Sequence, residues 1–161
     1  VAWAAATSGY PVLRFNFRGV GASQGKSLGA QTLRADVDAA VRVLEENAGS
    51  SSTARLLIGA SAQIVPGMLG RNPQASGVCL VSPMALSFDA LGQLDLPVLV
   101  VVGELDHRLP RDMLTRAVAQ AGGTLEVIGA ADATFLRNLP QVGRAVVSWL
   151  QTLDPDVRPA W

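Results

Sequence analysis

Short apolar runs recur along this chain, separated by polar loops or by segments whose apolar residues have helical spacing. Each run is five to seven residues long and rich in branched or aromatic side chains, which is typical of a β-strand. The runs lie at residues 11–17, 54–59, 76–81, 97–102 and 124–128. The second of them is apolar almost throughout, as expected of a strand that is covered on both faces.

Helices are predicted between these strands, from apolar positions three or four residues apart and from glycines or prolines near the ends. They cover residues 2–8, 31–47, 112–121 and 139–153. A further helix follows Ser61, is interrupted at Pro66-Gly67 and ends near residues 72–73. Short connections between alternating strands and helices require parallel pairing. We therefore predict a single α/β domain over residues 1–153, built on an open, doubly wound, mostly parallel sheet of about five strands, with a frayed tail at 154–161.

The composition supports one buried core and argues against several other classes of protein. Hydrophobic residues make up 49% of the 161 residues, and 13 basic residues balance 13 acidic ones. With no net charge and no basic cluster, nucleic acid is not an expected partner. No apolar run reaches the roughly 18 residues of a membrane span, so we expect a cytoplasmic protein with no membrane partner. Cys79 lies in an apolar strand and is expected to be an inert core residue.

Residues capable of chemistry fall at the carboxyl ends of the predicted strands, where open α/β sheets bind their ligands. They are the loop at 18–23, Ser61, Ser82, Asp106 and Asp132. The segment LLIGASAQ at 56–63 runs from a strand through Gly59 and Ser61 into a helix. A nucleophile elbow begins in this way, with its serine exposed on a strand-to-helix turn. The last position of that motif is normally glycine and is Gln63 here.

Four motifs occur in order along the chain: FNFRGVGASQG at the first predicted strand, GAS after the second, GELD after the fourth and GAAD after the fifth. Together they resemble the α/β-hydrolase superfamily, in particular its small bacterial dienelactone-hydrolase-like and acyl-peptidase-like members. The resemblance covers nearly the whole chain. It implies an α/β-hydrolase core that cleaves an ester, thioester or amide bond through an acyl-serine. Since the sequence has no cluster of metal ligands, neither a metal nor an organic cofactor is expected.

The resemblance also implies a role for each matching residue. Ser61 matches the nucleophile, the backbone N–H of Ala62 matches an oxyanion donor, and Asp106 matches the acid. The position of the family's histidine, after the last strand, is occupied by Ala133. His107 is the one histidine of the chain and lies beside the acid, where an exposed loop residue is expected. The catalytic base is therefore expected to be missing. Ala133→His should raise turnover if Ser61 and Asp106 keep the family's geometry.

The family has strands ahead of the helix that opens this chain. One of them lies, in the family's sheet, between the strands that match residues 11–17 and 54–59, and it carries a second oxyanion donor. In this chain those two strands should either pair directly or be separated by one strand width, roughly 4.8 Å beyond the normal spacing. A fragment of a longer reading frame is the simplest explanation for this difference.

A phosphate-binding loop is not expected, although Gly25-Lys26-Ser27 resembles the end of one. A phosphate loop needs a glycine five positions before its last glycine, and Val20 stands there. Residues 18–29 are therefore predicted to form a glycine-rich turn beside the site. Asp36 and Asp38 are predicted to lie on a solvated face of the following helix.

Two functions follow from these observations. The first is a serine hydrolase with a degenerate triad, weak or inactive as the chain stands. The second is a non-catalytic relative that binds a small acyl-type ligand or a partner through the same cleft. Without a histidine, Ser61 would be an idle remnant of the nucleophile. Asp106 would then cap the next helix or pair with Arg108 or Arg111.

Overall fold

Four parallel strands form the sheet at the centre of the molecule. The structure, a computed structural model, describes residues 1–26, 29–49, 53–68 and 75–154. The strands are β1 (Thr53–Ile58), β2 (Ala75–Val81), β3 (Val98–Gly103) and β4 (Thr124–Ile128), and they are hydrogen-bonded in that order. All three pairings are parallel, which confirms the predicted α/β architecture.

In the described parts of the chain, five α-helices and one 3₁₀ helix connect and cover the strands. They are α1 (Ala2–Thr7), α2 (Ala30–Ala48), the 3₁₀ helix Gly59–Met68, α3 (Phe88–Gly92), α4 (Arg111–Gln120) and α5 (Leu139–Leu153). The short α3 was not predicted, but its start has a clear signal, because the Ser87 hydroxyl accepts a hydrogen bond from the Ala90 N–H at 3.3 Å. The predicted helix end near residues 72–73 and the tail beyond Asp154 lie outside the described residues.

The sheet separates two layers of core, and β3 shows why. All six of its residues are buried, so it has no polar face. Val98, Val100 and Val102 pack with residues of α2, α3 and α4 on one side. Leu99 and Val101 pack on the other side with α5, which contributes three buried side chains: Val142, Val146 and Trp149. The near-continuous apolar strands in the sequence therefore reflect helices on both faces of the sheet.

The segment after β1 is a 3₁₀ helix, where the sequence predicted an interrupted α-helix. Pro66 lies inside it. A proline has no N–H to donate, and in an α-helix its ring would clash with the carbonyl four residues earlier, here that of Ala62. The ten-residue 3₁₀ helix is longer than the three or four residues usual for this form, and Pro66 disfavours an α-helix in its place.

Within the described residues the predicted strand at 11–17 is not part of the sheet, which has four strands and not about five. There β1 pairs with β2 alone, so of the two arrangements expected for residues 11–17 the direct pairing with β1 does not occur. Residues 11–16 are exposed, including the apolar side chains of Val12, Leu13 and Phe15. Ile58 on β1 is also 57% exposed. Strand propensity needs a neighbouring strand to take effect, and here none lies alongside.

An ion pair anchors the end of this segment to α2. The Arg18 Nε donates to Asp36 Oδ1 at 2.8 Å, and the Arg18 backbone N–H donates to Asp36 Oδ2 at 3.0 Å. The Asp36 side chain is only 15% exposed, so the prediction that it is solvated is wrong. Asp38 is more exposed and lies 3.6 Å from Arg34 and 3.9 Å from Arg55. Both acidic residues of α2 therefore lie close to arginine side chains.

Hydrogen exchange tests the unpaired state of the first predicted strand. We expect the amides of residues 12–16 to exchange at rates close to those of an unfolded chain, because these residues are exposed and lie outside the sheet. The amides of β2 and β3 should be protected to nearly the global free energy of unfolding. Native-state exchange followed by NMR provides both sets of rates. Protection of residues 12–16 equal to that of β2 would show that they pair in a sheet.

Candidate active site

The carboxyl ends of the four strands bring the predicted site residues to one edge of the sheet, here called the carboxyl edge. Ser61 follows β1, Ser82 follows β2, Asp106 follows β3 and Ala133 follows β4. Backbone hydrogen bonds join the loops in pairs. The Met84 N–H donates to the Gly59 carbonyl, and the Leu105 N–H donates to the Ala131 carbonyl, each at 2.9 Å. The loops therefore form one connected surface.

The Ser61 hydroxyl is engaged with the backbone of its own turn. Its Oγ donates to the Ile58 carbonyl at 2.9 Å, and the residue is partly exposed. Gly59, with φ 59°, makes the sharp turn that an elbow serine would make. Ala62 is completely buried, so in this conformation its N–H is not open to solvent. Gln63 is exposed and points away from the neighbouring strands.

Asp106 is held by two side chains, those of Arg108 and Ser82. Its Oδ1 accepts from the Arg108 backbone N–H at 3.2 Å and from Arg108 Nε at 2.9 Å. Its Oδ2 accepts from Arg108 Nη2 and from Ser82 Oγ, both at 2.8 Å. Arg108 Nη2 also donates to Ser82 Oγ. Of the alternatives for Asp106 left open above, pairing with Arg108 is the one observed. Arg111 instead donates to the Gly103 carbonyl at 2.8 Å.

This three-residue cluster is buried at its centre and exposed at its rim. The Asp106 side chain is 6% exposed and that of Arg108 is 41% exposed. Hydrogen bonds from Arg108, with a further one from Ser82, hold the pKa of Asp106 well below its ordinary range despite the opposing effect of burial. Ser82 is itself buried and has φ 46°, a value that non-glycine residues rarely adopt. Ala85, Ala130 and Phe135 in the loops of this edge also have a positive φ, whereas Ser61 does not.

The loop after β4 packs tightly against the loop that carries Asp106. Glu104 Oε2 accepts from the Ala130 N–H at 2.7 Å. The Asp132 carboxylate bonds within its own loop. Its Oδ1 accepts from the Thr134 N–H at 2.8 Å and from Thr134 Oγ1 at 2.6 Å. These bonds from Thr134 lower the pKa of Asp132, and the charge of Asp106 opposes them. The two loops are therefore close enough for the charge of one to affect the other. Ala133 is partly buried in the loop after β4 and provides no titratable group.

His107 is exposed, as expected from its position in the loop. Most of the hydrogen bonds to Asp106 come from Arg108, which the sequence offered as one of several possible partners. Ser82 was noticed for its place at a strand end, but nothing in the sequence indicated its bond to Asp106. That bond depends on β2 and β3 being adjacent in the sheet, which only the three-dimensional pairing shows.

Two surface hollows lie away from these residues. One, of about 740 Å³, lies between β4 and α5 and is lined by Glu126, Arg144 and Trp149 among others. The other, of about 600 Å³, lies between residues 13–26 and α2. Neither is lined by Ser61, Asp106 or Ala133. In the part of the chain that the structure describes, no three metal-ligating side chains come together, and no helix is both long and apolar enough to cross a membrane.

Comparison with known proteins gives a consistent structural class, although no family model matches the chain. A protein of unknown function from Agrobacterium tumefaciens, assigned to the α/β hydrolases, superposes with a TM-score of 0.76 at 22% identity, covering 99% of this chain and 78% of that one. An α/β serine hydrolase homologue from Coxiella burnetii superposes with a TM-score of 0.67 at 26% identity, over 84% and 66% of the two chains. A Pyrococcus furiosus esterase has a TM-score of 0.74 at 16% identity, over 93% and 72%.

In sequence, the chain is similar to an uncharacterized protein from Rickettsia prowazekii, with 28% identity over 91% of this chain and 67% of that protein. The solved structures that it resembles are α/β hydrolases, including esterases. The chain therefore has the α/β-hydrolase fold, as the order of its four motifs predicts.

The contact between the two loops depends on glycine at position 103. A Cβ there would lie 2.3 Å from the Ala131 carbonyl oxygen and 2.5 Å from that of Asp132. Because both atoms belong to backbone, Gly103→Ala should lower the free energy of unfolding by about 3 kcal/mol. Gly129→Ala is the matched control, since its nearest neighbour would be a Glu104 carboxylate oxygen at 4.0 Å. Urea denaturation gives both values, and equal effects would contradict the close approach.

The ion pair of Asp106 also predicts a pH dependence of stability. Because folding lowers the pKa of Asp106, the folded protein binds fewer protons than the unfolded chain at acidic pH. The resulting stabilisation is complete above the unfolded pKa of about 3.9 and is lost as the pH falls through the folded value. Asp106→Asn should therefore cost about 2 kcal/mol at pH 7 and progressively less below pH 4.

The control for this pH series is Asp95→Asn, which removes the carboxylate of an exposed residue. Its effect on the free energy of unfolding should be small at every pH. A difference between wild type and Asp106→Asn that stays constant from pH 7 to pH 2.5 would show that the carboxylate is not held as described.

Proposed function

We propose that this chain is a degenerate relative of serine hydrolases that cleave ester, thioester or amide bonds, and that it has negligible hydrolytic activity as it stands. The observation that carries the proposal is the state of Asp106, the residue matching the family's acid. Its carboxylate is bonded to Arg108 and Ser82, where a working acid would orient a histidine. The position matching that histidine is Ala133.

The chemistry of Ser61 follows from this arrangement. A serine hydroxyl is a weak nucleophile unless a neighbouring base accepts its proton. Here its Oγ donates to the Ile58 carbonyl, which cannot act as such a base. Asp106 is a poor substitute, because a carboxylate with so low a pKa has little affinity for a proton. Members of a catalytic triad act as a unit, so the loss of one removes most of the rate enhancement.

A second candidate function is the binding of a small acyl-type ligand or a partner without turnover. One observation favours it: exposed apolar side chains lie on three loops at the carboxyl edge and at the end of β1. Ile58 is 57% exposed, Met84 43%, Leu105 55% and Leu136 77%. Exposed apolar groups that form a patch are a common feature of ligand and partner sites. This alternative would be supported if a short-chain fatty acid changed the NMR chemical shifts of these residues while its ester was not hydrolysed.

The proposal predicts that Ser61 is not an activated nucleophile. A fluorophosphonate probe should label the wild-type chain no more than Ser61→Ala, and hydrolysis of a short p-nitrophenyl ester should stay near the buffer rate. Ser82→Ala serves as a control for labelling at the other serine of the edge. Robust turnover that Ser61→Ala abolishes would show an active hydrolase. Loss of that turnover in His107→Ala would identify His107 as its base.

A further inference from the structure

We infer that Arg108 occupies the hydrogen-bonding positions of the Asp106 carboxylate. A base introduced at position 133 therefore cannot bind this carboxylate unless Arg108 is removed. The inference rests on the proposed function, because it concerns the same site. It makes Arg108 a positioning residue that acts through Asp106.

The number of hydrogen bonds to Asp106 is the first argument. An ionised carboxylate has about four acceptor positions on its two oxygens. All four are filled here, two on Oδ1 by the Arg108 N–H and Nε, and two on Oδ2 by Arg108 Nη2 and Ser82 Oγ. A ring N–H from a histidine would have to displace one of these donors before it could bind Asp106.

The geometry of the competing pair is the second argument. Arg108 binds the carboxylate through both Nε and Nη2. This bidentate arrangement is the one in which a guanidinium binds a carboxylate most strongly. The two residues are only two positions apart, so the contact orders little additional chain. Ser82 completes the cluster from β2 and accepts from Arg108 while it donates to Asp106. Removing Arg108 from Asp106 would therefore break contacts to two residues at once.

The charge of the cluster is the third argument. A histidine in a triad is favoured in its protonated form by a neighbouring carboxylate. At Asp106 that negative charge is already compensated by the Arg108 guanidinium at 2.8 Å. Four other charged or titratable residues belong to the loops around position 133: Glu104, His107, Asp132 and Arg137. They are unchanged by substitution of Arg108, so a comparison between backgrounds isolates the effect of releasing Asp106.

The direct test is the pKa of the imidazole introduced by Ala133→His, measured by NMR titration with and without Arg108→Ala. With Arg108 present we expect a value near the ordinary 6.5 of histidine. With Arg108 removed, the released carboxylate should raise it by about one unit or more. Arg111→Ala is the control, since it removes the same charge from the nearby start of α4 but leaves Asp106 bonded as before. Arg108→Gln replaces Arg108→Ala if the latter does not fold.

Ester turnover by the same proteins separates this inference from the proposed function. Ala133→His alone should gain less than about tenfold, and the double variant should gain more, toward the roughly 10²–10⁴-fold that a positioned base supplies. An imidazole pKa that is the same with Arg108 and with Arg108→Ala would overturn the inference, as would full turnover in Ala133→His alone. A raised pKa without turnover in any variant would uphold the inference and would show that the site lacks more than its histidine, whereas robust turnover in the wild-type chain would refute the proposed function.

Discussion

The burial of β3 on both faces is the constraint on which the candidate site depends. Every residue of this strand is inside the molecule, between the helices α2, α3 and α4 on one side and α5 on the other. A strand held in this way cannot shift by one residue without moving its apolar side chains to the wrong layer. The loop that leaves it is therefore fixed at its origin, and Gly103 lets it run directly against the loop that follows β4.

Burial also explains why Asp106 needs a strong partner. A carboxylate that is 6% exposed has lost most of its hydration and must be compensated by hydrogen bonds or by an opposite charge. In a serine hydrolase a histidine contributes to that role. In this chain Arg108 and Ser82 provide it, so the carboxylate is stable in place without a histidine. Asp106 is thus held in place by structural partners.

Much of the fold could be predicted from the sequence, because four of the five apolar runs become strands of the sheet. The fifth, at 11–17, has the same composition but lies outside the sheet, since pairing depends on a neighbour that composition cannot supply. At the site, Ser61 and Asp106 could be placed at the carboxyl edge from their positions after strands. The bond between Ser82 and Asp106 could not, because it joins residues 24 positions apart through the adjacency of β2 and β3.

The carboxylate of Asp106 is bonded to Arg108, and we propose that this bond makes it unavailable to a base. The Nε–H resonance of Arg108 reports on that bond directly, since a hydrogen-bonded guanidinium N–H exchanges with water more slowly than a free one. We expect this proton to be visible near neutral pH, to exchange more slowly than the Nε–H of the exposed Arg116, and to lose its protection in Asp106→Asn. Exchange as fast as that of Arg116 in the wild-type chain would contradict the account.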